Sequence, residues 1–343
     1  MAARIDRVAG AAGCGDIARR HRDALGLSSV AAVGAAAYYL FPFDLALLTR
    51  IVGAGLFVLS LDLVTGFCGV ATLGHAVLYG VAAYAAGNAA VHGLTTEPLT
   101  LVLIGAAAGA LAGLASGAVI LRATALPQLV LSIAAVQLVS ALANKMHSVT
   151  GGSDGLSGIA PAPVLGLFSF DLYGRTAYVF SLALLLVTLA VLQRLARSPF
   201  GLLCRGIRQD PIRIRAMGAP IVPNLLKMYA VSGAVAGIAG ALAAVTTGVV
   251  GLDSVGFEWS ATALVMLVLG GTGTLYGGLL GTAVFMAFQH VVSAENPFHW
   301  LTMLGALLIA VVLFVPRGLQ DLPARLSGRG GLRGLRPRRS RAP

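Results

Sequence analysis

The sequence predicts an all-α, polytopic membrane protein of about ten membrane-spanning helices, within a range of eight to eleven, with both termini in the cytoplasm. Three observations predict it. Hydrophobic residues make up 57% of the 343 positions and charged residues only 11%, against about 25% charged in an ordinary soluble domain. Apolar runs of membrane length, ~20 residues each, recur along the whole chain. The basic residues gather where such runs end: of 24 Lys and Arg, five precede Leu25, seven lie in Arg194 to Lys227, and eight fall from Arg317 onward. Positive charge resists translocation, so these three segments share the cytoplasmic side. The net charge of +11 therefore reports topology; the expected partner surface is the lipid bilayer and not nucleic acid.

In chain order, the basic segment 1–26 precedes an uncleaved first span, Leu27 to Phe43. Spans follow at Leu45 to Val64, Val70 to Val91, Leu99 to Leu121, Leu126 to Met146 and Thr176 to Leu195, six before the central polar loop. After the loop come Met228 to Val249, Phe257 to Thr272, Leu275 to Val292 and Phe298 to Val315. Even numbers on both sides of the loop put it on the same side as both termini, in agreement with the charge count. The membrane domain is thus 27–316, with a cytoplasmic coupling loop 196–226 and an outer loop 147–175. The Arg-rich tail 317–343 is expected to be disordered and to lie on anionic headgroups. Gly105, Gly109 and Gly113 repeat every four residues, which predicts one face of close helix packing. Cys14, Cys68 and Cys204 have no metal-like spacing and read as free thiols.

The central loop contains a short helix. Asp210 can accept an amide hydrogen bond as an N-cap, and Pro211 loses no helical bond in a first turn. Gly218 can adopt the left-handed conformation that ends a helix, and Pro220 and Pro223 are expected to keep it from resuming. About two turns result, too short to be stable alone. The helix offers Ile212, Ile214 and Met217 for contact and Arg213 and Arg215 for an acidic rim; the bland alternative is a basic loop on lipid headgroups.

Three other stretches interrupt the apolar pattern. Leu61 to Gly80 reads LDLVTGFCGVATLGHAVLYG, where Gly66, Gly69 and Gly74 predict that one helix ends near Val64 and the next begins irregularly. Such backbone is tolerated at membrane depth only where protein or a water-filled cavity shields it. Asp62 either anchors that backbone or lines the solute path, and His75 either makes a structural hydrogen bond or does the same. The outer loop carries turn chemistry at Gly151, Gly152, Asp154 and Gly155, with an extracytoplasmic partner as the functional alternative. GGTGTLYGG, Gly270 to Gly278, lacks the lysine and strand of a phosphate loop; a hairpin is expected, or else an inner gate or second coupling contact. With no hydrolytic or nucleotide-binding motif, the chain reads as a transport subunit and not an enzyme.

At these residues the chain resembles the LivM-type permease subunits of branched-chain amino-acid ABC importers, of the LivH/LivM family. LSLDLVTGFCGVATLGHAVLYGVAAYAAG, GGSDGLSGI, SPFGLLCRGIRQDPIRIRAMGA and VLGGTGTLYGGLLG stand in the family's order and spacing, from about Leu45 to Pro316. The resemblance implies a permease of the bacterial inner membrane that pairs with a second, LivH-type permease. It also implies two cytoplasmic ATPase subunits, which hold ATP and magnesium while this chain binds no cofactor, and an extracytoplasmic solute-binding protein. Gly201, Arg205, Arg208, Asp210, Pro211, Ile212, Arg213, Met217 and Gly218 then fall in the ATPase-coupling segment, and Asp62, Gly66, Gly69, Gly74 and His75 in the translocation path or its gate. Where relatives usually carry an acidic residue before the glycine, this chain has Arg213-Ile214-Arg215-Ala216-Met217, which implies a more acidic partner groove. The alternative class is an ion- or proton-coupled secondary transporter acting alone, which requires a relay of ionisable groups in the helices; only Asp62 is clearly mid-span.

Overall fold

The computed structural model describes residues 25–295, apart from 165, 167, 170, 172 and 173, together with isolated positions between 302 and 319. The first 24 residues, the expected span Phe298 to Val315 and the tail 317–343 lie almost wholly outside the described residues. The chain is helical, as expected: α1 (Leu25–Leu40), α2 (Leu45–Leu61) with a π-helical turn at Asp62–Phe67, α3 (His75–Val91), α4 (Pro98–Ile120), α5 (Leu126–Lys145) and α6 (His147–Thr150) come first. α7 (Arg175–Arg197), α8 (Pro199–Gln209), α9 (Pro211–Ala216), α10 (Ile221–Thr247), α11 (Phe257–Gly270) and α12 (Leu275–Glu295) follow. Of the nine spans expected here, six are long and apolar enough to cross a membrane: Leu45–Phe67, α4, α5, α7, α10 and α12. α1, α3 and α11 are shorter, α3 because the Gly66 to Gly74 break consumes the first part of its apolar run.

The expected long loop at 196–226 is nearly all helix. α7 continues to Arg197, α8 and α9 occupy the middle of what was read as loop, and α10 starts at Ile221 rather than near Met228. Pro220 and Pro223 do not prevent this. Pro220 is the N-cap and Pro223 lies in the first turn, where a missing amide proton costs no helical bond.

α2, α3 and α10 form the centre. In both Leu45–Phe67 and α10, 72% of the most apolar stretch is buried, against 28% for α4 and 22% for α5. α4 and α5 therefore present most of their surface outward, to lipid or to partner chains. α4 approaches α10 through the repeated glycines: a Cβ on Gly109 would overlap the Gly233 carbonyl, and one on Gly237 would overlap the Gly105 carbonyl. Without an aqueous hydrophobic drive between helices, this backbone proximity supplies the dispersion contact that holds the pair.

The two ends of the bundle differ in charge. One carries Arg122, Arg194, Arg197, α8, α9 and Lys227. The other gathers Asp44, Glu97, Asp154, Asp171, Asp253, Glu258 and Glu295. At that acidic end β1 (Leu156–Ser157) pairs antiparallel with β2 (Val249–Val250). The Ala162 amide donates to the Thr96 carbonyl at 2.8 Å, tying the 147–175 segment to the helix ends.

The α4/α10 seam yields a contrast. Gly109→Val is expected to destabilise the protein by about 3 kcal/mol or more through overpacking. Gly53→Ala, where an added Cβ meets nothing within 4 Å, should be neutral or gain about 0.5 kcal/mol from helix propensity. Unfolding in mixed micelles by titrated SDS measures both.

Candidate coupling and gating site

Two helical rules are broken where α2 ends, and side chains from elsewhere make good the damage. The π-helical turn Asp62–Phe67 shifts the hydrogen-bond pattern from i→i+4 to i→i+5, and the chain then runs without regular bonding to His75. Polar backbone exposed in this way inside a bilayer needs protein partners. The Gly66 carbonyl accepts a hydrogen bond from the Arg208 guanidinium of α8. Asp62 Oδ1 accepts the Gly273 amide proton at 2.6 Å. Nearer α3, the Leu73 amide donates to Ser132 Oγ at 3.1 Å and the Ala76 amide to Ser260 Oγ at 2.7 Å.

The glycines are dictated by this crowding. A Cβ on Gly66 would overlap Asp62 Oδ1, and one on Gly69 would lie 2.8 Å from Arg208 Cγ. Gly273 has φ +83, the left-handed region that a side chain strains, and its Cβ would stand 2.8 Å from Arg208 Nη1. Gly74 packs against Ser132, whose carbonyl oxygen would lie 2.9 Å from an added Cβ.

α8 makes a further contact with the break. The Arg205 guanidinium lies 4.5 Å from the centre of the Phe67 ring, a cation–π distance. Cys204 of α8 and Cys68 of the break are both buried and free. Deeper in the bundle, His75 is buried with Nε2 2.9 Å from Ser232 Oγ, and the Ser232 hydroxyl reaches the Ser60 carbonyl at 2.6 Å. A hydroxyl has one proton. If it goes to Ser60, His75 carries its proton on Nε2 and donates to Ser232. Phe57 stacks on Trp259 at 5.8 Å beside His75 and Tyr79, closing the space between α2, α3 and α11.

α8 and α9 are each capped as their sequences require. Ser198 Oγ accepts the Gly201 amide proton at 3.2 Å, and Gly201 has no room for a Cβ against Leu195. Asp210 Oδ1 accepts the Arg213 amide proton at 3.0 Å, Pro211 opens the first turn of α9, and Gly218 follows at φ +84. The exposed pair Asp210–Arg213, at 3.6 Å, adds little. Ile214 turns inward against Gly206, whereas Ile212 and Met217 are 81% and 75% exposed.

The structure thus joins three stretches that are far apart in sequence: Asp62 to Gly74, Arg205 and Arg208, and the Gly271 to Thr274 turn. Gly151, Gly152, Asp154 and Gly155 are not part of this cluster. They form a tight turn at the acidic end, where Gly155 abuts Val250. Sequence reasoning missed Ser132, Ser232 and Ser260. Their signal was a serine within an apolar helix, but only the fold shows which serines face the break.

A bundle of membrane-length helices around a helix broken at depth, with short amphipathic helices packed on the break, defines a multi-pass membrane protein of the permease kind. The chain belongs to the family described as branched-chain amino acid transport system / permease component, whose profile matches residues 44–313. It is 30% identical over 286 residues to the high-affinity branched-chain amino acid transport system permease protein LivM of Salmonella typhimurium, covering 76% of this chain and 66% of that protein. The LivM protein of Escherichia coli matches equally, at 30% over 288 residues and with the same coverage. A probable LivM permease of Methanocaldococcus jannaschii is 25% identical over 182 residues, 48% of this chain and 52% of that one. The match spans just under two thirds of the Salmonella and Escherichia proteins' length. By name these relatives are permease components of transport systems, not enzymes. No solved structure matches the chain.

Asp62→Leu leaves the Gly273 amide without its acceptor and is expected to cost about 2 kcal/mol, the scale of a buried unsatisfied donor. Asp62→Asn keeps an acceptor oxygen and should cost less than half of that. SDS unfolding of the purified chain separates the two.

Proposed function

We propose that the chain is the permease subunit of an ATP-driven importer in the bacterial inner membrane, with the basic end in the cytoplasm together with both termini. It translocates branched-chain amino acids or a related small polar solute. An extracytoplasmic binding protein delivers the solute to the acidic end. A second, LivH-type permease completes the pathway, and two cytoplasmic ATPase subunits bind ATP and magnesium. The observation that carries this reading is α9. It leaves Ile212 and Met217 uncovered on either side of Arg213 and Arg215, an apolar and basic face suited to a groove with an acidic rim on an ATPase subunit.

Family membership supports the permease role, and the geometry supports a route for force. α9 stacks on α8 through Ile214 and Gly206, and α8 holds the broken helix through Arg208 and Arg205. Closure of the ATPase dimer would push α9, and Arg208 would carry the displacement to the Gly66 carbonyl and the Gly273 turn. Nucleotide shifts the gate only if these contacts differ between the two states. In this reading Arg205 and Arg208 act inward, on the permease itself, while Ile212, Arg213 and Met217 act outward, on the motor.

Two substitutions test the two halves. The double variant Ile212→Glu/Met217→Glu should lower recovery of ATPase subunits with the tagged permease by about tenfold, equivalent to about 1.4 kcal/mol. Arg208→Ala should leave that recovery intact yet lower ATP-driven leucine uptake in proteoliposomes at least about tenfold, with ATP hydrolysis continuing. Solute uptake that proceeds without any ATPase and collapses with the proton gradient would overturn the reading.

A further inference from the structure

The acidic end contains a cavity that the coupling cluster does not use. α2 enters the bundle at Leu45, and Arg50 lies on it about 7 Å further in, at 1.5 Å per residue. Facing Arg50 across a cavity of about 200 Å³ are Thr246 and Thr247 at the end of α10, Asp253 in the turn Leu252–Val255, and Trp259 of α11. Gly53, one turn below Arg50, opens the space: an added Cβ there would meet nothing within 4 Å. Tyr79 and Trp259, packed on Phe57, form the inner limit.

Neither the Arg50 guanidinium nor the Asp253 carboxylate has a hydrogen-bond or ion-pair partner among the described residues. An arginine this near a helix mouth commonly snorkels to headgroups. Arg50 instead also lines two neighbouring cavities, one with Asp171 and Val245 and one with Met286 and Gln289, so it faces the bundle's own clefts. One cation and one anion on a single small cavity select against a simple ion of either sign. They complement a solute that bears both charges, and Leu242 and Met286 supply apolar wall for the rest of it.

We infer that this cavity is an outer docking site for a zwitterionic amino acid, with Arg50 holding its carboxylate, Asp253 its ammonium group, and the side chain lying toward Trp259. The inference rests on the permease reading and names where the delivered solute first meets this chain. Threonine hydroxyls and two charged hydrogen-bonding groups fix the head of the solute, while its side chain is selected only by size. Closure of the aromatic floor keeps the site separate from the Gly66 to Gly74 gate.

The complete transporter in proteoliposomes tests it. Arg50→Gln and Asp253→Asn should each lower uptake of radiolabelled L-leucine at least about tenfold, the scale of a lost charge-assisted hydrogen bond. Recovery of the complex should stay within about twofold, a difference near the size of ordinary surface substitutions. In a Gly53→Cys variant, L-leucine should slow modification of the new thiol by a membrane-impermeant reagent. Leucinamide, which lacks the carboxylate, and 4-methylpentanoate, which lacks the ammonium group, should not. Near-normal uptake by both charge variants, or equal protection by all three compounds, would overturn the site and leave the permease reading standing. Absence of leucine uptake by the unaltered transporter would instead overturn the assigned solute. Protection of the Gly53→Cys thiol by glycine or glutamine would then still support a zwitterion site, and protection by no amino acid would overturn it.

Discussion

Polar backbone cannot be left unpartnered inside a bilayer, and the organisation of this protein follows from where it violates helical bonding. α2 loses its regular pattern at Asp62 and α3 does not begin until His75. In water that gap would be an ordinary loop. At membrane depth each freed amide and carbonyl that stays unpaired costs several kcal/mol, so the surrounding elements are bound to it. Arg208 reaches in from α8, Gly273 is drawn to Asp62, and Ser132 and Ser260 accept amides at the start of α3. The break is therefore the node to which the amphipathic helices and the α11/α12 turn are tied.

This arrangement gives the bundle a stiff part and a workable part. α4 and α10 meet backbone to backbone along Gly105, Gly109, Gly233 and Gly237, with no side chain between them to change rotamer. The break, in contrast, is held by a few directional bonds that can be exchanged for others. Packed interfaces switch between discrete arrangements rather than deforming smoothly, and a guanidinium with five donors can release one carbonyl and take another. A displacement of α8 thus has a defined point of action, while the α4/α10 pair supplies a frame against which the rest can move.

The opposite end differs in kind. Its loops are knit by the β1–β2 pairing and by the contact of Ala162 with Thr96, and Asp171 and Asp253 line open space rather than plugging a break. Arg50, five positions into α2, lines the cavities of this end and so sets it apart from a merely acidic rim.

What the sequence determined by itself was whatever depends on composition and local order. The 57% apolar content and the spacing of apolar runs established the helical membrane class, and the clustered arginines identified one end of the bundle. Asp210-Pro211 and Gly218 marked α9 to within a residue, because a cap, a first-turn proline and a left-handed glycine act on their immediate neighbours. The glycines at 66, 69 and 74 foretold a break, yet their partners were invisible: a hydrogen bond between residues 142 or 211 positions apart leaves no periodic trace. The same limit hid α8, which buries Gly201, Cys204 and Ile207 against distant elements; α10 starts early because Pro220 and Pro223 fall at its N-cap and first turn, where a missing amide proton costs no helical bond. Only the tertiary structure decided that Arg208 meets Gly66, that Asp62 serves Gly273, and that Arg50 and Asp253 share one cavity, because each depends on which faces of distant helices pack together.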